Sequence, residues 1–440
     1  MSSTMTMEKS FGCVQCKYFC SRKGIMPSIL EELLKARADT RTLIKTTKDP
    51  FMKNILDKRQ LGYKVTANSL YGQCGAKTST FYEQDVAAST TATGRMMITY
   101  AQKIIEDVYG NLEYETKNHG TVLCNAEYVY GDTDSVFFTF NLKDVVTKAD
   151  IRGKKALEIT IEIAQDTAKL CTQFLKPPME LTYEKTLMQF ILLSKKRYVG
   201  ILYEDNPDKG KLKYMGLSIK RRDSCDYLKD TYGNILNMLM DEKTGSAENI
   251  KYAISYLDKS LRDLIDGVVP MDKLSITKAL RGYYKNPQQI AHNVLAERIG
   301  TRDPGNKPKS GERMKFVHIV TKKKGLQGEK IETPEFILKN KLTIDYTFYI
   351  TNQLMKPLQQ LFGLALESIW DCKNKNGVVK KHREEMNKLQ KDCDSMEEYN
   401  KRREKNCSDK VEKLLFKNYL DEIYLKENNV KSITTFFTAK

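Results

Sequence analysis

From Pro27 onward the apolar residues Ile29, Leu30, Leu33 and Leu34 share one face of a 3.6-residue period, and Lys35, Arg37, Arg41 and Lys45 follow. This spacing predicts an amphipathic helix with Pro in its first turn, ended by Asp49-Pro50. A second helical pattern runs from about Phe51 to Tyr71 and is expected to stop at Gly72. So short a connection predicts antiparallel packing of the pair. Residues 86–109 read as a further helix. The period then changes. Tyr128, Val129 and Tyr130 lead into a turn and Val136, Phe137, Phe138 and Phe140 lead out of it, which predicts a β-hairpin with an acidic tip. Residues 156–175 return to helix, and 179–203 read as successive strands. Beyond about 223 the pattern is mainly helical, with short strands near 314–320. Residues 371–413 interleave charges of both signs, as a solvated helical face or hairpin does. Residues 1–22 show no clear period, and no internal repeat occurs.

Composition narrows the class. At about 150 residues per domain, 440 residues predict roughly three domains. Hydrophobic residues make up 40%, which excludes wholesale disorder. Lys and Arg exceed Asp and Glu, 73 to 56, for a formal charge of +17. That excess favours a polyanionic partner: nucleic acid first, an acidic membrane surface second. No apolar run approaches the ~18 residues of a membrane-spanning helix. The opening MSSTMTMEKS lacks the basic-then-apolar layout of a secretory signal, so the expectation is an intracellular protein. The ten cysteines are mostly isolated and read as reduced thiols. Cys13, Cys16 and Cys20 are spaced like part of a metal site, but no fourth Cys or His lies nearby.

Two motifs carry chemistry. In Tyr130-Gly131-Asp132-Thr133-Asp134-Ser135 two carboxylates sit two apart on a tight hairpin tip. Like charges that close repel, and a divalent cation is the natural neutraliser. An ordinary Asx-rich turn is the plainer alternative, but flanking hydrophobic strands hold the pair rigidly, as a metal site requires. In KVTANSLYG, Lys64 and Asn68 are four apart and share a helix face, where a cation and an amide donor suit a polyphosphate.

KVTANSLYG followed by YGDTDS resembles the family B DNA polymerases, most of all the δ-type branch and the enzymes of large DNA viruses. Further segments match in the same order: ILEELLKARADTR, STTATGRMMI, KPPMELTYEK, LLSKKRYVG, MGLSIKRRDSCDYLKD and LSITKALRGYYKNPQQIAHNVLAERIGTRDPG. The resemblance spans about residues 23–365. It implies an α+β, right-hand architecture: helical fingers at 23–72, an antiparallel-sheet palm at 73–222, and a mainly helical thumb with an extension at 223–427. Residues 1–22 and 428–440 would be tails. The implied reaction is templated nucleotidyl transfer from dNTP to a primer 3′-hydroxyl with two Mg²⁺ ions. Asp134 would be the main metal ligand here, with Asp132 beside it. Lys64, Asn68 and Arg37, with Arg41 less directly, would hold the triphosphate, and Lys64 would protonate the leaving group. Tyr71 and Gly72 would lie under the nascent base pair. Lys195, Lys196, Arg197 and Tyr198, with Arg221 and Arg222, would contact the primer–template duplex without reading its sequence. Glu184 would support the metal site without ligating it.

One departure matters. The family's motif A, a DxxSLYPS-type strand that supplies another essential Asp, is absent from the 440 residues. Three origins fit: a split gene whose second product carries motif A and the exonuclease, a fragment of an interrupted reading frame, or a non-catalytic DNA- and clamp-binding remnant. Without a neighbouring strand the YGDTDS hairpin should expose an unpaired edge. Near the C-terminus, Ile433, Phe436 and Phe437 resemble a peptide that docks on a PCNA-like sliding clamp, although Val430 stands where Gln is usual.

Overall fold

The structure, a computed structural model, describes residues 24–177, 179–241, 245–321 and 325–428. Cys13, Cys16, Cys20, Ile433, Phe436 and Phe437 lie outside the described residues. The chain divides into two compact units between Glu184 and Lys185.

The first unit begins with α1 (Ile25–Thr46) and α2 (Pro50–Gly75), packed side by side. Asp49 caps α2 by accepting the Phe51 N–H at 3.0 Å, and Pro50 takes the first helical position. The expected stop at Gly72 is corrected. A glycine weakens a helix by about 1 kcal/mol without ending it. Here α2 runs on to Gly75 and ends where Ala76 turns extended. α3 (Gln84–Tyr109) leads into β1 (Leu112–Thr116) and β2 (Gly120–Cys124), an antiparallel pair to which a short β5 (Lys143–Asp144) adds on the β2 side. Between them in sequence lie β3 (Glu127–Asp132) and β4 (Ser135–Thr139), a two-stranded sheet that no third strand joins among the described residues. α4 (Gly153–Gln173) completes the core, in which Ile159, Ile163 and Cys171 meet Ile105, Tyr109, Val122, Cys124 and Phe140. Burial pushes the Cys124 thiol up to about 12, so it is inert.

The second unit opens with an antiparallel sheet of β6 (Thr186–Ser194), β7 (Arg197–Tyr203) and β8 (Lys211–Met215). Val199 of β7 packs into the same core as the helices that follow. α5 (Asp226–Leu239) and α6 (Ser246–Ile265) run antiparallel, tied by the Tyr227 hydroxyl to the Ser260 carbonyl at 2.8 Å and by Asn234 to Tyr256 at 2.7 Å. A second sheet has the order β11–β10–β9, from β9 (Ile276–Ala279), β10 (Arg313–His318) and β11 (Ile331–Glu332), with α7 (Ala291–Arg302) beside it. The buried Glu332 carboxylate is satisfied by Arg298 at 2.9 Å and Arg302 at 2.7 Å, which also anchors α7. A π-helical turn, Tyr349–Met355, runs into α8 (Lys356–Leu364). α9 (Leu366–Cys372), α10 (Asn376–Lys391), α11 (Met396–Leu415) and α12 (Lys417–Glu427) are the last described helices. The interleaved charges of 371–413 thus lie on a helical pair. Charges there find partners: Glu385 pairs with Lys410, Glu398 with Arg402, and Arg383 with Glu367 of α9. No helix among the described residues is long and apolar enough to cross a membrane.

Candidate functional site

The acidic turn is built by the β3–β4 register. Asp132 pairs with Ser135, leaving Thr133 and Asp134 as a two-residue turn. Thr133 takes a left-handed conformation, φ 57°, which closes the turn tightly. The Asp134 N–H donates to the Asp132 carbonyl at 2.6 Å, and the Ser135 hydroxyl donates to the same oxygen at 3.2 Å. Thr133 Oγ1 donates to Asp132 Oδ1 at 3.0 Å. The turn makes the two carboxylates unequal: Asp132 is half-buried and Asp134 exposed.

Glycine is required just before it. A β-carbon at Gly131 would sit 2.5 Å from the Tyr128 hydroxyl and 3.1 Å from the Ser135 carbonyl. A bulge at Val129 shifts the pairing between Tyr128 and Tyr130, and bulges re-aim the strand that carries them. The edge-on pair Tyr128–Phe138 and the tilted pair Tyr130–Phe137, both at 5.8 Å, stiffen the hairpin. Glu106 of α3 accepts the Tyr128 N–H at 3.3 Å, so α3 anchors its base.

The phosphate-gripping candidates lie on α1 and α2. Lys64 and Asn68 are exposed one turn apart on α2, and Arg41 is exposed on α1. Arg37 is half-buried, its Nε donating to Gln60 Oε1 at 3.3 Å, which ties α1 to α2. The Tyr71 hydroxyl bonds Thr91 Oγ1 at 2.8 Å, tying α2 to α3. A β-carbon on Gly72 would meet nothing within 4 Å, so that helix surface is open. α3 therefore links two candidate groups: Thr91 near its start holds Tyr71, and its later part packs on β3 and β4.

The basic segment of the second unit is less uniform than its spelling suggests. Lys195 and Lys196 form the exposed two-residue turn between β6 and β7, with Lys196 at φ 64°. Gly216, at φ 65°, lies so close to the Lys196 carbonyl that a β-carbon would collide with it. Arg197 is half-buried, its guanidinium NH1 donating to Gln360 Oε1 at 2.5 Å. Tyr198 is buried against Phe190, ring centroids 5.5 Å apart. Arg221 is exposed and holds Asp223 through two bonds, at 3.0 and 2.9 Å, which keep the Asp223 carboxyl below the usual carboxylate range. Arg222 is exposed beside it. The roles of Thr91, Gly216 and Gln360 were not foreseen. The only hint for Gln360 was a polar Gln359-Gln360 pair set between Leu358 and Leu361.

The oxygen donors Asp132 and Asp134 suit a hard divalent cation such as Mg²⁺. Among the described residues no group of three or more His, Cys, Asp or Glu side chains converges to hold a metal ion.

The model of the family described as DNA polymerase family B matches residues 4–364. A DNA polymerase of Pyramimonas orientalis virus is 42% identical over 404 residues, covering 81% of this chain and 32% of the relative. The DNA polymerase delta catalytic subunit of Arabidopsis thaliana is 35% identical over 350 residues, covering 79% and 30%. The chain thus spans about a third of the length of these relatives. The fold is similar to that of the family B DNA polymerase from the archaeon Pyrobaculum calidifontis, with a TM-score of 0.50, 21% identity, and 77% of this chain and 38% of that one covered. The chain belongs to DNA polymerase family B, close to its viral and δ-type members.

Proposed function

We propose that this chain supplies fingers, part of the palm and the thumb for templated transfer of a deoxynucleotide to a primer 3′-hydroxyl. The observation that carries this reading is the rigid two-residue turn presenting Asp134 beside Asp132. These carboxylates would hold Mg²⁺, which when bound favours the ionised 3′-hydroxyl and neutralises the triphosphate. Exposed Asp134 is the better placed to ligate. Asp132, with one oxygen already accepting from Thr133, tunes the turn.

Lys64 and Asn68 grip phosphate oxygens from one face of α2, and the Lys64 ammonium gives a proton to the departing pyrophosphate. Arg41 adds charge from α1, and Arg37 joins once α1 moves enough to release Gln60. Tyr71 and the open surface at Gly72 support the nascent base pair. Movement of α1 and α2 towards the acidic turn couples these contacts to correct pairing. The exposed Lys195–Lys196 turn, Arg197, Arg221 and Arg222 take the duplex backbone. A further carboxylate strand would come from residues outside these 440, and the edge of the β3–β4 hairpin that no strand joins among the described residues is a place for it to pair.

A second reading, a DNA- and clamp-binding module without catalysis, is favoured by one observation: among the described residues, only two carboxylates meet at the turn. Primer extension separates the two. The chain is assayed alone, with the product of the reading frame just upstream, and as Asp134→Ala with that product. Extension that needs the second product and vanishes in the variant supports the enzyme. Salt-sensitive duplex binding with no extension in any mixture supports the module.

A further inference from the structure

Arg197 is held by residues far away in sequence. Its NH1 donates to Gln360 Oε1 at 2.5 Å, and Gln360 Nε2 donates to Glu404 Oε1 at 2.7 Å. The amide has no freedom to flip. A guanidinium only donates and a carboxylate only accepts, so the carbonyl must face Arg197 and the NH₂ must face Glu404. The helices that carry these groups are registered by a parallel contact, Gln359 Nε2 to Glu412 Oε2 at 3.1 Å. α8 packs against α11 and also touches β6, the partner of β7. Gln360 thus bridges Arg197 on the sheet and Glu404 on α11.

We propose that Glu404 and Gln360 are positioning residues that aim Arg197 at the phosphate backbone of the primer–template duplex. This rests on the reading above, in which the segment 195–197 meets the duplex. Gln360 occupies one of the five guanidinium N–H donors, leaving the others for phosphate. A half-buried guanidinium fixed on one edge loses less freedom when a phosphate binds than a solvated one does. The hydrogen bond to the Glu404 carboxyl polarises the amide, which strengthens its carbonyl as an acceptor. Glu404 also lies beyond residue 364, where the family match ends, so the relay assigns a task to the C-terminal extension.

The sign of one substitution separates this relay from simple electrostatics. Removing an acid from a DNA-binding surface should tighten binding if charge alone matters. The relay requires Glu404→Ala to weaken it. The full chain is titrated with a labelled primer–template duplex at several salt concentrations, as wild type, Arg197→Ala, Glu404→Ala and the double variant. Each single change is expected to weaken binding about three- to tenfold and to lower the salt slope by about one, with the double no weaker than Arg197→Ala. Glu404→Gln, which keeps an acceptor, should recover most of the loss. Should Glu404→Ala fail to fold, Gln360→Met removes both bonds at similar volume and carries the same expectation. Unchanged or tighter binding, or additive losses, overturns the relay and leaves duplex binding standing. A wild-type chain with no salt-dependent duplex affinity overturns the duplex reading, and the relay with it.

Discussion

α1 and α2 are 22 and 26 residues long, yet between them they bury only Thr40, Leu56 and Cys74. α6, at 20 residues, buries eight side chains, among them Leu257, Leu261 and Leu264. Large apolar side chains stay exposed along the first pair, Ile25 at 80% and Phe51 at 70%. Buried apolar area sets the cost of local opening, so α1 and α2, which bear the proposed phosphate contacts, are the more easily displaced. The second unit's sheet and helices share one deep core. The proposed polymerase role would use both: elements that move on a nucleotide, and a platform that does not.

The largest effect expected is chemical. Asp134→Asn, assayed with the proposed strand-supplying partner, should reduce extension about a thousandfold or more while leaving the melting temperature within about 2 °C. Comparable loss from Asp132→Asn would make the two acids equal and contradict the asymmetry of the turn.

Core truncations test the contrast directly. Leu261→Ala should cost about 3–5 kcal/mol in denaturant unfolding of the second unit, and Leu56→Ala no more than about 2 kcal/mol in the first. Equal costs would break the comparison.

Acid should sharpen it. His318 is 6% exposed, and its ring stacks on Phe348 with centroids 3.3 Å apart. Burial, then the charges of Lys278 and Lys330, push its pKa down to about 3. The unfolded state therefore binds the proton more readily. The stabilisation is intact above about pH 6.5 and is lost as pH falls from there towards 3, by roughly 3 kcal/mol at pH 4. Thermal melts from pH 7 to 4 should show the second unit losing stability, and His318→Gln should flatten that slope.

The smallest effect separates stability from function at one atom. Gly72 lies inside α2 with open space around it, so Gly72→Ala should stabilise the chain by about 0.5–1 kcal/mol. If the nascent base pair rests there, the added methyl should slow incorporation. A variant that is both more stable and fully active would move the base-pair surface elsewhere on α2.

Much of this was legible beforehand. The α1–α2 pair, α3, α4 and the β3–β4 hairpin lie where periodicity and turn chemistry put them, because each signal is local. β1 and β2 were missed, although Leu112, Tyr114 and Thr116 alternate and a left-handed Gly120 closes their turn. Strands so short are legible mainly through what they pack on, here Ile159 and Ile163 of α4. The order of motifs was enough for the family. The unequal burial of Asp132 and Asp134 was not visible, since it depends on the turn's φ angles.

The segment Lys195-Lys196-Arg197-Tyr198 draws the line most clearly. Its residue types state a charge, and charge repels or attracts wherever it is placed, so a polyanionic partner could be read from the chain alone. Which of the four faces outward could not. That depends on a two-residue turn, on a glycine pressed against the Lys196 carbonyl, and on Gln360, 163 positions away. Such contacts form only when distant segments have packed, because a hydrogen bond needs its partner within about 3 Å and no local pattern encodes that distance.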